Sequence, residues 1–284
     1  MPDAARTEGF ELTADGVALR TIRWEASQPA WATLLIVHGL GEHVGRYDHV
    51  ARRMAAVGIE VQGTDLRGFG ASSGPRAYVS RWSLLHDDLE ARLTSIRAAS
   101  PGIPLILYGH SLGGLIVLGY ALSGRPRSLP DALVLTSPGL DSTIARWKQA
   151  VAPALGRIAP RLRIPNGFGA GALSRDPAVD ERLAADPLSL RSSTARLGAA
   201  GFAEQARVRR LIAGGTPIPV PAYVVHGGDD PIVPVSASEP LVEGRPNVTR
   251  RVYPGLRHET HNEQEGASVV EDTIAWLRGA VTRR

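Results

Sequence analysis

A chain of 284 residues, 43% of them apolar, suits one large α/β domain or a core carrying an insertion. It has no cysteine, which excludes a disulfide framework or a thiolate metal site and fits a reducing compartment, so the expected location is the cytoplasm. The net charge of +4 is no nucleic-acid footprint, because residues 140–215 hold twelve basic against six acidic residues with no zinc-finger, helix-turn-helix or aromatic-interleaved signature, and the rest of the chain is slightly acidic.

The stretch from Met1 to Glu8 has no apolar signal-peptide core, and nothing approaches the roughly 18 consecutive apolar residues of a spanning helix. Val17–Trp24 alternates and pairs as an antiparallel edge hairpin with Phe10–Thr13. Short apolar runs follow at Thr33–Val37, Ile59–Gly63, Leu105–Tyr108, Ala132–Thr136, Ala222–Val225 and Val248–Tyr253. Helical patterns alternate with them, predicting α/β architecture with a mostly parallel central sheet flanked by helices. Trp82, Leu85, Leu89, Leu93 and Ile96 recur at helical spacing. Leu112–Leu122 is apolar nearly all round, and Val269, Val270, Ile274 and Leu277 predict a final amphipathic helix. Residues 140–215 break this rhythm, being rich in Pro, Gly, Ala and Arg without a clear strand. They read as an inserted, mainly helical cap, leaving 1–139 and 216–284 as the core.

Gly109-His110-Ser111-Leu112-Gly113 lies between the run at 105–108 and the buried helix after it. That context makes G-x-S-x-G a nucleophile elbow, with Ser111 on a tight turn at a strand's carboxyl end and glycines where a Cβ would clash. Serine at its ordinary pKa is a weak nucleophile and needs a base. Only His226, His258 and His261 follow it. His226 ends a strand and reads as a structural histidine, whereas His258 sits just past a strand, on a loop that can reach the serine; His261 is its rival. His258 and His261 are three apart, not the four of a zinc-binding H-E-x-x-H helix, so no metal and no cofactor is expected. The orienting acid belongs after the next-to-last core strand, where Asp229 and Asp230 both qualify. Asp230 is favoured because Pro231 holds it extended. The oxyanion donors are expected at the N–H of Leu112 and, from the loop His38-Gly39-Leu40-Gly41, the N–H of Leu40.

With these motifs in place the chain resembles the monoacylglycerol lipase group of α/β-hydrolases, also described as lysophospholipases. The resemblance runs through His38–Tyr47, the D-x-R-G-x-G-x-S stretch Asp65–Ser72, the elbow Gly109–Gly114, His226–Pro231, Tyr253–Glu259 and the cap stretches Leu173–Val179 and Ala185–Pro187. It implies the α/β-hydrolase fold, hydrolysis of lipid esters, and a role for Glu42 and Arg46 in holding glycerol hydroxyls near the triad. Asp65 and Arg67 are expected to fix a turn. Phe69, where many relatives carry His, and the Arg- and Pro-rich cap bear on acyl-chain preference.

The expected chemistry is acyl transfer through a serine ester, with a lipid ester as substrate, an apolar tunnel in the cap and possible contact of the basic cap with lipid surfaces. A serine at the elbow excludes the epoxide hydrolases and haloalkane dehalogenases, which place aspartate there. Short-chain carboxylesterase, lysophospholipase, thioesterase, peptidase, perhydrolase and acyltransferase activities share the same triad. A non-catalytic small-molecule binding protein is the reading from a different class, and full occupancy of all three triad positions argues against it. Composition and motifs leave the oligomeric state open.

Overall fold

A computed structural model of the chain describes residues 4–281; the first three residues of the N-terminal stretch read above lie outside the described residues, as do 282–284. In chain order the elements are β1 (Arg6–Leu12), β2 (Ala18–Trp24), β3 (Ala32–Val37), α1 (Asp48–Ala55), β4 (Ile59–Thr64), α2 (Ser83–Ala99), β5 (Leu105–His110), α3 (Leu112–Ala121) and β6 (Ala132–Thr136). They continue with α4 (Arg146–Ile158), β7 (Arg163–Pro165), α5 (Pro177–Ala185), β8 (Ser192–Thr194), α6 (Ala195–Ala213), β9 (Ala222–Gly227), β10 (Val248–Tyr253) and α7 (Gly266–Val281).

Eight strands form one sheet in the order β1-β2-β4-β3-β5-β6-β9-β10. From β4 to β10 every pairing is parallel, while β1 and β2 add an antiparallel edge. Parallel strands need covering on both faces, which is why β3, β5, β6 and β9 read as unbroken buried runs. Leu35 and Val37 of β3 enter one core with α2, α3 and α6, and Leu34 and Ile36 enter the opposite one with α1 and α7. The period-two alternation of a strand thus divides one apolar run between two layers. This is the α/β-hydrolase fold.

Two differences from the sequence reading have local causes. Helix α1 is absent from the periodicity reading because it is only two turns long, with alanines in half of its buried positions (Val50, Ala51, Met54, Ala55). The interval 140–215, read as strandless, holds β7 and β8, an antiparallel pair of three residues each, too short to leave a pattern. The same interval holds the helices α4, α5 and α6. Asp176 caps α5 by accepting from Ala178 N–H at 3.0 Å, with Pro177 at the first helical position. Thr194 caps α6 and also donates to the Ala77 carbonyl at 2.6 Å, joining this interval to the loop between β4 and α2. The far end of α6 goes further, placing Val208 and Ile212 in the same apolar core as α3.

Candidate active site

Each polar group of interest leaves the carboxyl end of a parallel strand, where ligands of open α/β sheets bind. Ser111 follows β5 with φ 51° and ψ −115°, a backbone conformation that costs an L-residue about 1–3 kcal/mol. Neighbouring bonds hold it there: its N–H donates to Thr136 O at 3.0 Å, and its carbonyl accepts from Leu115 and Gly139 N–H at 3.1 and 2.9 Å. The glycines permit the turn. A Cβ on Gly109 would lie 2.6 Å from the Gly113 carbonyl oxygen, and one on Gly113 would press into the Val37 carbonyl and lie 2.7 Å from His38 O. These obstacles are backbone atoms, which no rotamer change can move.

Asp230 and His258 meet after β9 and β10, with His258 Nδ1 2.7 Å from Asp230 Oδ2, both side chains buried. Asp230 Oδ1 accepts from Ile232 and Val233 N–H at 2.8 and 3.0 Å, just past Pro231. Burial alone would raise this carboxyl's pKa. The N–H groups of His226 and His258 outweigh it and hold the group well below the usual carboxylate range. Because Oδ2 only accepts, Nδ1 of His258 carries a proton, and in the neutral ring Nε2 is then the nitrogen with the lone pair. Ser137, itself at φ 41°, donates to the His258 carbonyl at 2.8 Å and steadies that loop. Ser111 and His258 line the same cavity of about 500 Å³. Asp229 is not part of the pair; its N–H bonds to Leu256 O. His261 stacks on Tyr47 at 4.9 Å and is buried behind His110, with neither ring nitrogen bonded among the described residues.

The loop after β3 also faces this cavity through Leu40. His38 accepts from Leu66 N–H at its Nε2 (2.9 Å), so its Nδ1 donates to Gly39 O (2.8 Å). Leu112 is the first residue of α3, where the helix's own ladder offers its N–H no partner. Gly41, at φ 80°, accepts from Leu190 N–H of the insertion at 2.7 Å. Glu42 is buried; its Oε1 accepts from Gly39 N–H at 2.5 Å and from Tyr47 O–H at 2.7 Å, and its Oε2 accepts from Arg46 at 2.8 Å. Arg46 also makes a two-pronged pair with Glu259 at 2.7 and 2.8 Å. Glu42 and Arg46 therefore line the cavity with most of their bonding capacity already engaged in shaping the loop. Asp65 and Arg67 fix turns: Asp65 accepts from Val44 and Ala71 N–H, and Arg67 bridges Asp15 and Asp88.

A family model described as serine aminopeptidase, S33 matches residues 28–265, and a monoacylglycerol lipase of Mycolicibacterium smegmatis is 33% identical over 98% of this chain and 99% of its own length. The chain belongs to this family of serine hydrolases. Human monoglyceride lipase is 28% identical over 94% of the chain and 88% of its own length. The crystal structure of Paleococcus ferrophilus monoacylglycerol lipase superposes with a TM-score of 0.80 at 29% identity, covering 92% of this chain and 99% of that one.

Within this serine hydrolase, two contributors escape a reading by motif. Glu259 follows His258 directly but is turned away from Asp230 toward Arg46. Its burial favours the neutral acid, yet the adjacent guanidinium outweighs that and keeps it ionised. His110 precedes the serine, accepts or donates at Thr136 Oγ1 (3.0 Å) and packs 4.9 Å from the His258 ring. Burial, reinforced by His258, pushes its pKa down to about 3. The sign of the consequence follows from linkage. The unfolded chain protonates this histidine as pH falls through its ordinary value of 6.5, whereas the folded chain does not until about 3. Its contribution to stability is complete above pH 6.5 and is lost progressively between those limits. In urea unfolding, His110→Gln is expected to flatten the decline in stability between pH 6 and 4 by about 1 kcal/mol per pH unit. A slope equal to wild type would show that His110 does not titrate in this way.

Proposed function

We propose that this serine hydrolase cleaves monoacylglycerols or closely similar lipid esters through a covalent acyl-enzyme, with Ser111 as nucleophile, His258 as base and Asp230 as orienting acid. The observation that carries the reading is the 2.7 Å Asp230–His258 bond, with His258 opening onto the cavity that also holds the strained Ser111. His258 Nε2 takes the serine proton as Oγ attacks the ester carbonyl, and the N–H groups of Leu40 and Leu112 stabilise the oxyanion. The protonated His258 then gives its proton to the departing glycerol oxygen. Water, activated by the same nitrogen, releases the fatty acid.

The substrate class rests on the cavity and on the relatives. Pro165, Phe168, Leu173, Leu183 and Leu190 offer apolar walls for an acyl chain, and Glu42, Arg46 and Glu259 supply a polar end. The names of the relatives at 28–33% identity point to the same substrates. Residues 140–215 act as the cap in this reading. On α4, Trp147, Val151 and Ile158 form one exposed apolar stripe (Trp147 66%, Ile158 84%) beside Arg146, Lys148 and Arg157. That combination suits contact with an anionic lipid surface. Among the described residues no helix is long and apolar enough to cross a membrane. The cytoplasm is the proposed location, supported by the cysteine-free sequence.

Measuring kcat/KM for monoacylglycerols, lysophospholipids, p-nitrophenyl butyrate and aminoacyl amides tests this. Monoacylglycerols are expected to rank first, and Trp147→Ser is expected to lower turnover of vesicle-borne monoacylglycerol while leaving the soluble butyrate ester within about twofold. Amides exceeding esters throughout would overturn the assignment.

A further inference from the structure

His226 reads from sequence as a satisfied strand histidine, and its partners give it more to do. It lies near the end of β9 with no exposed surface. Its Nε2 is 3.1 Å from the Val233 carbonyl and 3.3 Å from Asp230 Oδ2. Both oxygens only accept, so Nε2 carries the proton and divides it between them. Nδ1 is 2.9 Å from Ser238 Oγ, which in turn accepts from Arg250 Nε at 2.8 Å. The same hydroxyl lies 3.0 Å from the Val235 carbonyl, so its single proton is shared between that oxygen and Nδ1. The two acceptors facing Nε2 thus fix that nitrogen as a donor, and Nδ1 meets the Ser238 hydroxyl that Arg250 holds.

The carboxylate oxygen that receives His258 therefore has a second imidazole N–H 3.3 Å away. With two backbone N–H groups on Oδ1, four donors surround the Asp230 carboxylate. From this geometry we infer that His226 is a positioning residue for the proposed triad, fixing the plane of the Asp230 carboxylate and drawing charge away from the oxygen that faces His258. The inference rests on the reading of Asp230 and His258 as acid and base.

Two effects follow from the shared oxygen. The carboxylate cannot rotate without breaking the His226 contact, so its bond to His258 keeps a single direction. It is also less basic than a carboxylate facing His258 alone, so the His258 imidazolium formed during acylation is held less tightly and returns its proton to the leaving alcohol more readily. Other charged groups face this cluster from neighbouring elements: Arg250 of β10 and Glu239 beyond Ser238, His110 of β5 beside His258, and Arg46 and Glu259 behind it. None of these touches Asp230, so replacing His226 alters one contact of the carboxylate and leaves the others.

The test uses the full chain with p-nitrophenyl butyrate, and rates are divided by the active sites titrated with a fluorophosphonate, so that misfolded protein does not count. His226→Leu removes the donor. It is expected to lower kcat per titrated site about tenfold with KM within twofold, the equivalent of losing one hydrogen bond to a charged group. It is also expected to raise the apparent pKa of the acidic limb of the kcat/KM profile by about half a unit or more, because the unshared carboxylate then holds protonated His258 more strongly. His226→Gln, whose amide N–H can reach both acceptors, is expected to recover most of the rate and the wild-type limb. Should His226→Leu yield no soluble protein, Ser238→Ala, which removes the partner that holds the ring at Nδ1, is expected to move the limb in the same direction. A structural role alone would lower Tm and leave rate and limb per titrated site unchanged. That result, or a limb that moves down, overturns the inference. If Ser111→Ala still labels and turns over, the triad itself is wrong; a dead Ser111→Ala beside an unaffected His226→Leu rejects only the role of His226.

Discussion

Ser111→Ala is expected to lower kcat for a soluble ester by about 10⁶-fold and to abolish fluorophosphonate labelling, without loss of fold. The substitution is clean because Ser111 already carries a Cβ at φ 51°, so alanine adds no backbone strain, and the bonds to Thr136, Leu115 and Gly139 use main-chain atoms that remain. What disappears is the one oxygen able to form the acyl-enzyme. The residual rate would come from the oxyanion donors and substrate binding, which leave about 10³–10⁴-fold over water in other triad enzymes. Mass spectrometry of the labelled wild type should find the adduct on the peptide holding residue 111. An adduct elsewhere, or a variant retaining a tenth of the activity, would remove Ser111 from the chemistry.

Asp230→Asn should cost about 10⁴-fold in kcat with KM nearly unchanged. Asparagine fills the same volume, but its amide would have to present N–H₂ either to the Ile232 and Val233 N–H groups or to His258 and His226, all of which are donors. The least costly escape is for His258 to move its proton to Nε2, which removes the base facing the serine. Asp229→Asn, one residue away, is expected to stay within about twofold, since Asp229 bonds to Leu256 O through its main-chain N–H. Steady-state kinetics of the pair separates the two neighbours, and equal losses from both would mean that the loop, not the carboxylate, carries the effect.

The elements most legible in the sequence were those buried on both sides. Unbroken apolar runs such as Leu105–Tyr108 cannot be solvated on either face, so their strand identity survives any detail of packing. Short or one-sided elements were less legible, as α1 and the β7–β8 pair show. Around the candidate site, motif spacing pointed to Ser111 and His258. The choice of Asp230 over Asp229 followed from the extended conformation that Pro231 enforces, and the structure turns Asp230 toward His258. The resemblance implied that Glu42 and Arg46 hold glycerol hydroxyls; both line the cavity, and their engagement with Gly39, Tyr47 and Glu259 had no sequence signal.

Local chemistry thus determined which residue types were available and on which turns: a hydroxyl flanked by glycines, an aspartate before a proline, a histidine after the last strand. Such features depend on a few neighbouring φ/ψ angles and are written within five or six residues. Only the tertiary structure decided how these turns face one another, because the strand order brings together loops that lie more than a hundred residues apart in the chain. That is why the second imidazole beside Asp230, the Arg46–Glu259 pair and the grip of Leu190 on the loop at Gly41 leave no local mark in the sequence. Hydrogen bonds across such separations are made by packing direction, which periodicity and motif do not encode.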